Sequence, residues 1–509
     1  MKNSIEILDT TLRDGEQMQG IAFSAEEKLS IAKILLQEVK VDRLEAASAR
    51  VSSGEMGSVK GITRWAAENS LLEKVEVLGY VDRHKSVDWI LEAGAKGLNL
   101  LAKGSLLHLE KQLQKKPEEH FKDIRETIEY AGIKGVKVNV FLEDWSNGIK
   151  DSRDYVMQLV SALEKMPVQR IILTDTLGIL TPDETSMFVK EMANAFPKTH
   201  FDFHGHNDYG LAVANNLAAV KAGCKGVHVT VNGLGERAGN APLDETVAVL
   251  NDKTGCMCIV NEKKFAKLSK IVETFSGKRV AANKPIAGSN VFTQTAGIHA
   301  DGDKKAGLYE NKLKPERFGK ERQYALGKLS GRASLDQNLE LLGLHLSEEA
   351  KERVLKRVVE LGDMKKVVTT EDLPYIVSDV LETEEERKVR IKSCSVSSGS
   401  GIKPNASFTL QLNGNEYSES AVGDGGYDAF MNALRKLEEK TGLKLPKLID
   451  YEVRIPPGGK TDALVETTIT WIAADGKSFA TVGVDSDQVM AAVKATEKML
   501  NAIARKKGK

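Results

Sequence analysis

Two histidines, His204 and His206, stand one residue apart in the stretch HFDFHGHNDYG. A β-strand puts residues i and i+2 on one face, so both imidazoles point the same way. Phe201 and Phe203 alternate ahead of them and mark the stretch as a strand. Neutral imidazole is a ligand for divalent transition ions. An HxH pair alone is a weak signal, but a second element, LDTTLRDGEQ, strengthens it. There Arg13 and Asp14 follow the apolar strand running from Ile5 to Leu8. Two histidines and one carboxylate form a site that leaves coordination positions open for substrate.

Such a site, loaded with a divalent metal ion (Mn, Mg or Zn), can chelate a 2-oxo acid through its keto oxygen and one carboxylate oxygen, polarising the carbonyl. Arg13 can add a charge-assisted hydrogen bond to the same oxygen. Thr176 can orient the substrate carboxylate, and Asn240, within GLGERAGNAPL, lies near the metal. The nucleophile would be a carbanion or enol, so a base is required. Glu143 and His299 are the candidates, directly or through a water. Asp301 and Tyr309, near His299 in TQTAGIHADGDKKAGLYE, are also capable of proton transfer or hydrogen bonding. The set suits aldol or Claisen chemistry.

These side chains need a frame. The first half of the chain alternates short apolar or β-branched runs (SIEILD, VDRLEAA, KVEVLGYV, GLNLLAK, KVNVFLED, RIILTDT, FDFHGH, GVHVTVNG) with amphipathic helical stretches. Eight β/α units over about 250 residues predict a TIM (β/α)8 barrel. A doubly wound open sheet is the alternative, disfavoured because no Gly-rich phosphate fingerprint follows the first strand. Polar residues (Arg13, Asp14, Glu45, Asn99, Glu143, Thr174, Thr176, His204, His206, Asn240) recur in these strands or just after them, and barrel enzymes build their sites at strand C-termini. The barrel is expected over residues 1–270. Linker subdomains, loop-rich and then helical, follow over 271–387. A C-terminal α+β regulatory domain spans 388–509, where SCSVSSGSGIKPNASF reads as a turn. Within that domain GNEYSESAVGDGGYDAFMNALRKLEE parallels GKSFATVGVDSDQVMAAVKATEKML, an internal repeat of strand, turn and helix with a groove between copies.

Composition narrows the class. Lys plus Arg and Asp plus Glu balance at 72 each, which argues against nucleic-acid binding. There is no apolar run of about 18 residues for a membrane span, and the N-terminus has no signal-peptide layout. Four cysteines without disulfide or zinc spacing read as free thiols in a reducing cytoplasm.

LDTTLRDGEQ, FHGHND and NGLGERAGNAPL closely resemble the 2-isopropylmalate, homocitrate and citramalate synthases, and the resemblance covers the whole chain. It implies a metal-dependent TIM barrel condensing acetyl-CoA with a small 2-oxo acid. Asp14, His204 and His206 would bind the metal and Arg13 would activate the keto group. The linker residues would come from the partner subunit of a homodimer, and the C-terminal domain would bind an end-product amino acid. Leu78, Leu101 and Phe141 align with the family's side-chain pocket. Isopropylmalate synthases usually carry a histidine where Leu101 stands and a smaller residue near Phe141. The bulk here points to pyruvate and an (R)-citramalate synthase, although related citramalate synthases carry tyrosine at the Phe141 position. A branched-chain amino acid, isoleucine in that case, would be held by Tyr427, Asp428, Leu448, Tyr451, Ile455, Val465 and Gln488. The alternatives are a 2-isopropylmalate synthase, a homocitrate synthase or related lyase, and a catalytically silent amino-acid-binding protein. A lyase has little use for the C-terminal domain, and the intact polar set argues against silence.

Overall fold

The computed structural model describes residues 4–294, 311–363, 368, 370–381, 388–454, 465–474, 476 and 478–506. Eight strands close into a parallel barrel: β1 (Glu6–Asp9), β2 (Arg43–Ser48), β3 (Val75–Tyr80), β4 (Gly97–Lys103), β5 (Lys137–Glu143), β6 (Val168–Asp175), β7 (Phe201–Gly205) and β8 (Gly226–Val229). β8 pairs back onto β1, with Glu6 opposite Gly226 and Asp9 opposite Val229, so the sheet has no edge. That closure excludes the open doubly wound alternative. The strands are buried nearly throughout because helices cover their outer face and side chains fill their inner one. Local signals start the helices. Ser24 and Glu27 form a reciprocal capping box at Ala25–Lys33, and Thr181 and Glu184 do so at Pro182–Ala195, where proline takes the first turn.

Period-2 alternation sorts the strand residues. The main apolar core lies between strands and helices. A separate small cluster, Leu8, Leu78, Phe141 and Ile172 with Leu101 against it, fills part of the barrel interior. Many other interior positions are polar, among them Glu45, Asn99, Asn139, Asp202, His204 and His228.

The chain divides into two compact units. One holds the described residues through Phe292 with the 311–322 segment; the other holds Thr293–Gln294 and everything described from Gln323 on. Within the second, helices Arg332–Leu342, Glu348–Asp363 and Leu373–Leu381 share a small core of Leu335, Leu339, Val354, Val358, Leu373 and Ile376. Two of them fall on SEEAKERVLKRVVELGD and TEDLPYIVSDVLE, the segments the sequence reads as helical; Arg332–Leu342 goes beyond them.

The C-terminal repeat is larger than the strand–turn–helix read from sequence. Each copy is three antiparallel strands and a helix. The first comprises β9 (Val389–Gly399), β10 (Ile402–Leu412), β11 (Asn415–Val422) and helix Gly426–Thr441. The second comprises β12 (Lys447–Arg454), β13 (Val465–Ile472), β14 (Ser478–Asp485) and helix Gln488–Lys506. One core containing Phe408, Phe430, Leu434, Ile469, Trp471 and Met499 spans both copies. SCSVSSGSGIKPNASF is not a turn as a whole. It is most of a hairpin, with Gly399 paired to Ile402 across a two-residue turn. Its Ser-rich composition hid the alternation of one covered and one solvated face.

Candidate active site

Asp14 sits just past β1, at the start of the Gly15–Gln17 turn; His204 lies near the end of β7 and His206 just beyond it. Asp14 Oδ2 lies 3.2 Å from His204 Nε2 and 3.9 Å from His206 Nε2, and the two Nε2 atoms are 3.4 Å apart. Adjacent ligands about 2.1 Å from one ion lie about 3 Å from each other, so these donors are spaced for a single cation. All three residues are buried. Both Asp14 oxygens, Nδ1 of both histidines and Asn240 Oδ1 are buried without a hydrogen-bond partner among the described residues. Orphaned atoms of this kind cost about 1–3 kcal/mol each. A divalent cation would engage the carboxylate, so the donor set fits one.

Electrostatics favour the ligating forms of Asp14 and His206. Burial pushes the Asp14 carboxyl up, but the Arg13 guanidinium and the two imidazoles outweigh it and hold the pKa well below its ordinary value. Burial takes His206 down to about 4, with Asp14 opposing and the charges of His204 and Arg237 adding to the fall. Neutral imidazole and carboxylate are what a metal requires.

Arg13 is fixed from inside the barrel. Its Nε donates to Glu45 Oε2 at 2.6 Å, and Nη1 is 3.4 Å from Asp14 Oδ2. Glu45 on β2 also accepts from Thr10 Oγ1 (2.6 Å) and from Asn99 Nδ2 (2.8 Å). Asn139 Nδ2 in turn donates to Asn99 Oδ1. Burial alone would raise the Glu45 pKa; Arg13 and the hydrogen bonds from Thr10 and Asn99 hold it down. A carboxylate so paired keeps the guanidinium in one orientation.

The apolar wall adjoins this group. The Phe141 ring packs edge-on to His204 (5.8 Å between centroids) and tilted against His228 (5.1 Å), and the Arg13 guanidinium lies 5.9 Å from it. Leu78 and Leu101 belong to the same interior cluster.

Comparison with known proteins places the chain in a family. The profile of the family described as HMGL-like matches residues 4–274. That described as homocitrate synthase post-HMGL domain-like matches 286–366, and the LeuA allosteric (dimerisation) domain matches 367–504. A Methanopyrus kandleri protein described as a probable 2-isopropylmalate synthase is 36% identical over 511 residues, all of both chains. An (R)-citramalate synthase of Methanocaldococcus jannaschii is 36% identical over 507 residues, covering 98% of this chain and 99% of that one. The chain belongs to the 2-isopropylmalate/homocitrate/citramalate synthase family.

This family member is therefore an acyltransferase built on an HMGL-like barrel. Several expected residues converge in it. Arg13, Asp14, His204 and His206 form one cluster, and an isolated bridge joins His206 to Asn240. The Thr176 hydroxyl oxygen accepts from Asp144 N–H at 2.8 Å, which leaves its own proton free to donate. Glu143 ends β5 and is ion-paired with Lys103. His299, Asp301 and Tyr309 lie outside the described residues, as does Ile455. In the C-terminal repeat the Tyr427 ring lies tilted against Tyr451 (5.3 Å between centroids) and its hydroxyl bonds Thr496, and Leu448 packs on the same core. Tyr451 and Gln488 interact through their side chains. Val465 is buried at the start of β13. Asp428 is exposed and accepts from the Asp424 N–H and from Asn432, as a helix-start residue does.

Some partners were not foreseen from sequence: Glu45 and Asn99 as the holders of Arg13, His228 behind Phe141, Lys103 on Glu143, and Arg237. Their common signal was a polar residue at an inward position of an apolar strand, or a charge inside the glycine-rich NGLGERAGN loop.

Proposed function

We propose that this protein condenses acetyl-CoA with pyruvate to give (R)-citramalate and free CoA. The triad of Asp14, His204 and His206 with orphaned buried donors carries the reaction class. The bound cation would polarise the keto group and offset the charge that develops on its oxygen. Arg13, held by Glu45, donates to that oxygen. The Thr176 hydroxyl donates to the pyruvate carboxylate. A base, Glu143 or His299, takes a proton from the acetyl methyl group, and the resulting carbon attacks the keto carbon to make the new C–C bond. The alkoxide takes a proton, and water cleaves the thioester and releases CoA.

Leu78, Leu101 and Phe141, backed by Leu8 and Ile172, support the choice of pyruvate, since they occupy space a branched side chain would need. The Methanopyrus kandleri relative favours a second reading, 2-isopropylmalate synthesis from 2-oxoisovalerate. Thiol release from acetyl-CoA with pyruvate and with 2-oxoisovalerate decides between them. A larger kcat/KM for 2-oxoisovalerate refutes the first reading; no thiol release with any 2-oxo acid refutes both.

Regulation is part of the proposal. The LeuA-type match and the Tyr427, Tyr451, Leu448 and Gln488 cluster support a branched-chain amino-acid site in a homodimer, with isoleucine the effector. Effector binding would favour a less active arrangement of the dimer. Isoleucine is expected to inhibit the full-length enzyme more than leucine or valine. A rate unchanged by all three removes this assignment.

A further inference from the structure

The loop after β8 carries a charged residue that the reaction does not use. Arg237 donates from Nε to Asp208 Oδ1 at 2.7 Å and from Nη2 to Asp208 Oδ2 at 3.0 Å. Nη2 also donates to the Thr176 carbonyl at 2.7 Å, and Nη1 to Glu236 at 3.2 Å. One guanidinium thus joins the loops after β6, β7 and β8. The backbone repeats the connection. The His206 N–H donates to Asp175 O (3.2 Å), the Asn207 N–H to Gly239 O (2.9 Å) and the Asn240 N–H to Gly233 O (3.2 Å).

The loops are shaped for this contact. Gly178 has φ +59°, and a Cβ there would lie 2.8 Å from His206 O and 3.0 Å from Asp208 Oδ2. Only a residue without a side chain lets the β6 loop lie against the Asp208 carboxylate. Arg237 itself has φ +56°, a strained value for a long side chain. On the inner side of the clip are His206 and Asn240. Asn240 Nδ2 donates to Leu234 O, and Oδ1 is buried and unpartnered. The charge of Arg237 reaches both His206 and Asp14.

We propose that Arg237, with Asp208, is a positioning residue that sets His206 and Asn240 for the cation; this rests on the metal site proposed above. A half-exposed ion pair adds little to global stability. Its bidentate form fixes direction, so its effect falls on local geometry. Partners that orient metal ligands typically cost 10–100-fold in metal affinity when lost.

The test is Mn(II) titration of the metal-free full-length protein, with free Mn(II) read by electron paramagnetic resonance. Arg237→Met is expected to weaken Mn(II) binding by roughly 10–100-fold while moving the thermal midpoint by no more than about 2–4 °C. Arg237→Lys keeps the charge without the fork and should recover only part of the loss. Asp208→Asn should weaken binding in the same direction. Arg237→Met that folds and holds Mn(II) as tightly as wild type overturns the proposal. If Arg237→Met does not fold, unchanged affinity in Asp208→Asn overturns it instead. Wild type that binds no Mn(II), Mg(II) or Zn(II) removes the metal site and this inference with it. Wild type that binds Mn(II) with the expected Arg237 dependence, but condenses no 2-oxo acid, refutes the proposed reaction and leaves the inference standing.

Discussion

The two ends of the barrel bury charge in opposite ways. At the N-terminal ends of the strands, Arg43 pairs with Asp202, Glu76 (3.4 Å) and Glu6 (3.2 Å), and Arg170 bonds Glu6 at 2.8 Å. His228 and His200 flank the same Asp202 carboxylate at 3.3 and 3.0 Å. Each charge there meets its opposite inside the protein. At the C-terminal ends Asp14 is ion-paired with Arg13, and that guanidinium is already committed to Glu45. The remaining donors point at one another. A clefted surface does not distinguish the ends: cavities of about 610 and 280 Å³ both lie at the N-terminal end, lined by Arg170, His200, Arg43 and Glu76 among others. The pairing of charge does: the N-terminal network, with Arg43 facing Asp202 and Glu76, acts as a plug, and the C-terminal set is the candidate site, consistent with the division of labour in barrel enzymes.

The comparison can be broken by removing a charge from each end. His204→Ala or His206→Ala should abolish Mn(II) binding and turnover, a larger effect than the roughly 10–100-fold loss typical of partners behind the ligands. Metal-free His204→Ala that turns over at the wild-type rate would show that the C-terminal end is as self-sufficient as the other. Arg43→Met should do the reverse. Leaving two buried carboxylates, Asp202 and Glu76, short of a cation costs about 3–5 kcal/mol, or roughly 6–20 °C in thermal midpoint for a domain this size. Its Mn(II) affinity should stay at the wild-type value below the transition. A change in affinity as large as the change in stability would merge the two ends into one network.

Phe141 touches both ends, through His228 and through His204. Phe141→Ala should narrow the kcat/KM preference for pyruvate over 2-oxoisovalerate by roughly 10–200-fold if it opens one methylene's worth of pocket. An unchanged ratio would assign that ring to the plug. The smallest effect is one of pH. His120 is buried behind β4, where its Nε2 accepts from the Lys103 N–H at 3.1 Å, and burial lowers its pKa to about 4 from an ordinary 6.5. The unfolded chain takes up that proton first as pH falls. The contribution to stability is therefore complete above 6.5 and is lost between 6.5 and about 4. Urea unfolding of wild type and His120→Gln from pH 7 to 4 should converge toward the acid side. Parallel curves would show that His120 does not titrate differently on folding.

The barrel was legible in the sequence because its strands are apolar runs of regular spacing, and because His204, His206 and Asp14 sit in local patterns that a strand or a turn interprets directly. All eight strands were placed. Arg13 was seen, but the reason it holds still was not. Arg13 and Glu45 are 32 residues apart in sequence and Glu45 and Asn99 are 54, and only closure of the barrel brings them inward together. The hairpin at Val389–Leu412 was hidden for another reason. Its solvated face is serine-rich, and that composition mimics a loop. Asp428 shows the limit of pattern: a carboxylate after two glycines also satisfies a helix start, and the structure uses it there.

The site draws on both ends of the barrel sequence, with Asp14 before the first helix and Asn240 after the last strand. On the ribosome, at about 5–20 residues per second, roughly 225 residues of synthesis and some 10–45 s separate the two. β1 also waits for β8, its parallel neighbour. Until then Asp14 has neither histidine beside it, and the nascent chain offers no high-affinity place for a metal. With the metal site as proposed, the cation can be captured only after the ring has shut, and metal occupancy is a record that the barrel was finished. Chains arrested before β8 should retain no Mn(II) on the ribosome, whereas chains arrested well beyond Asn240 should.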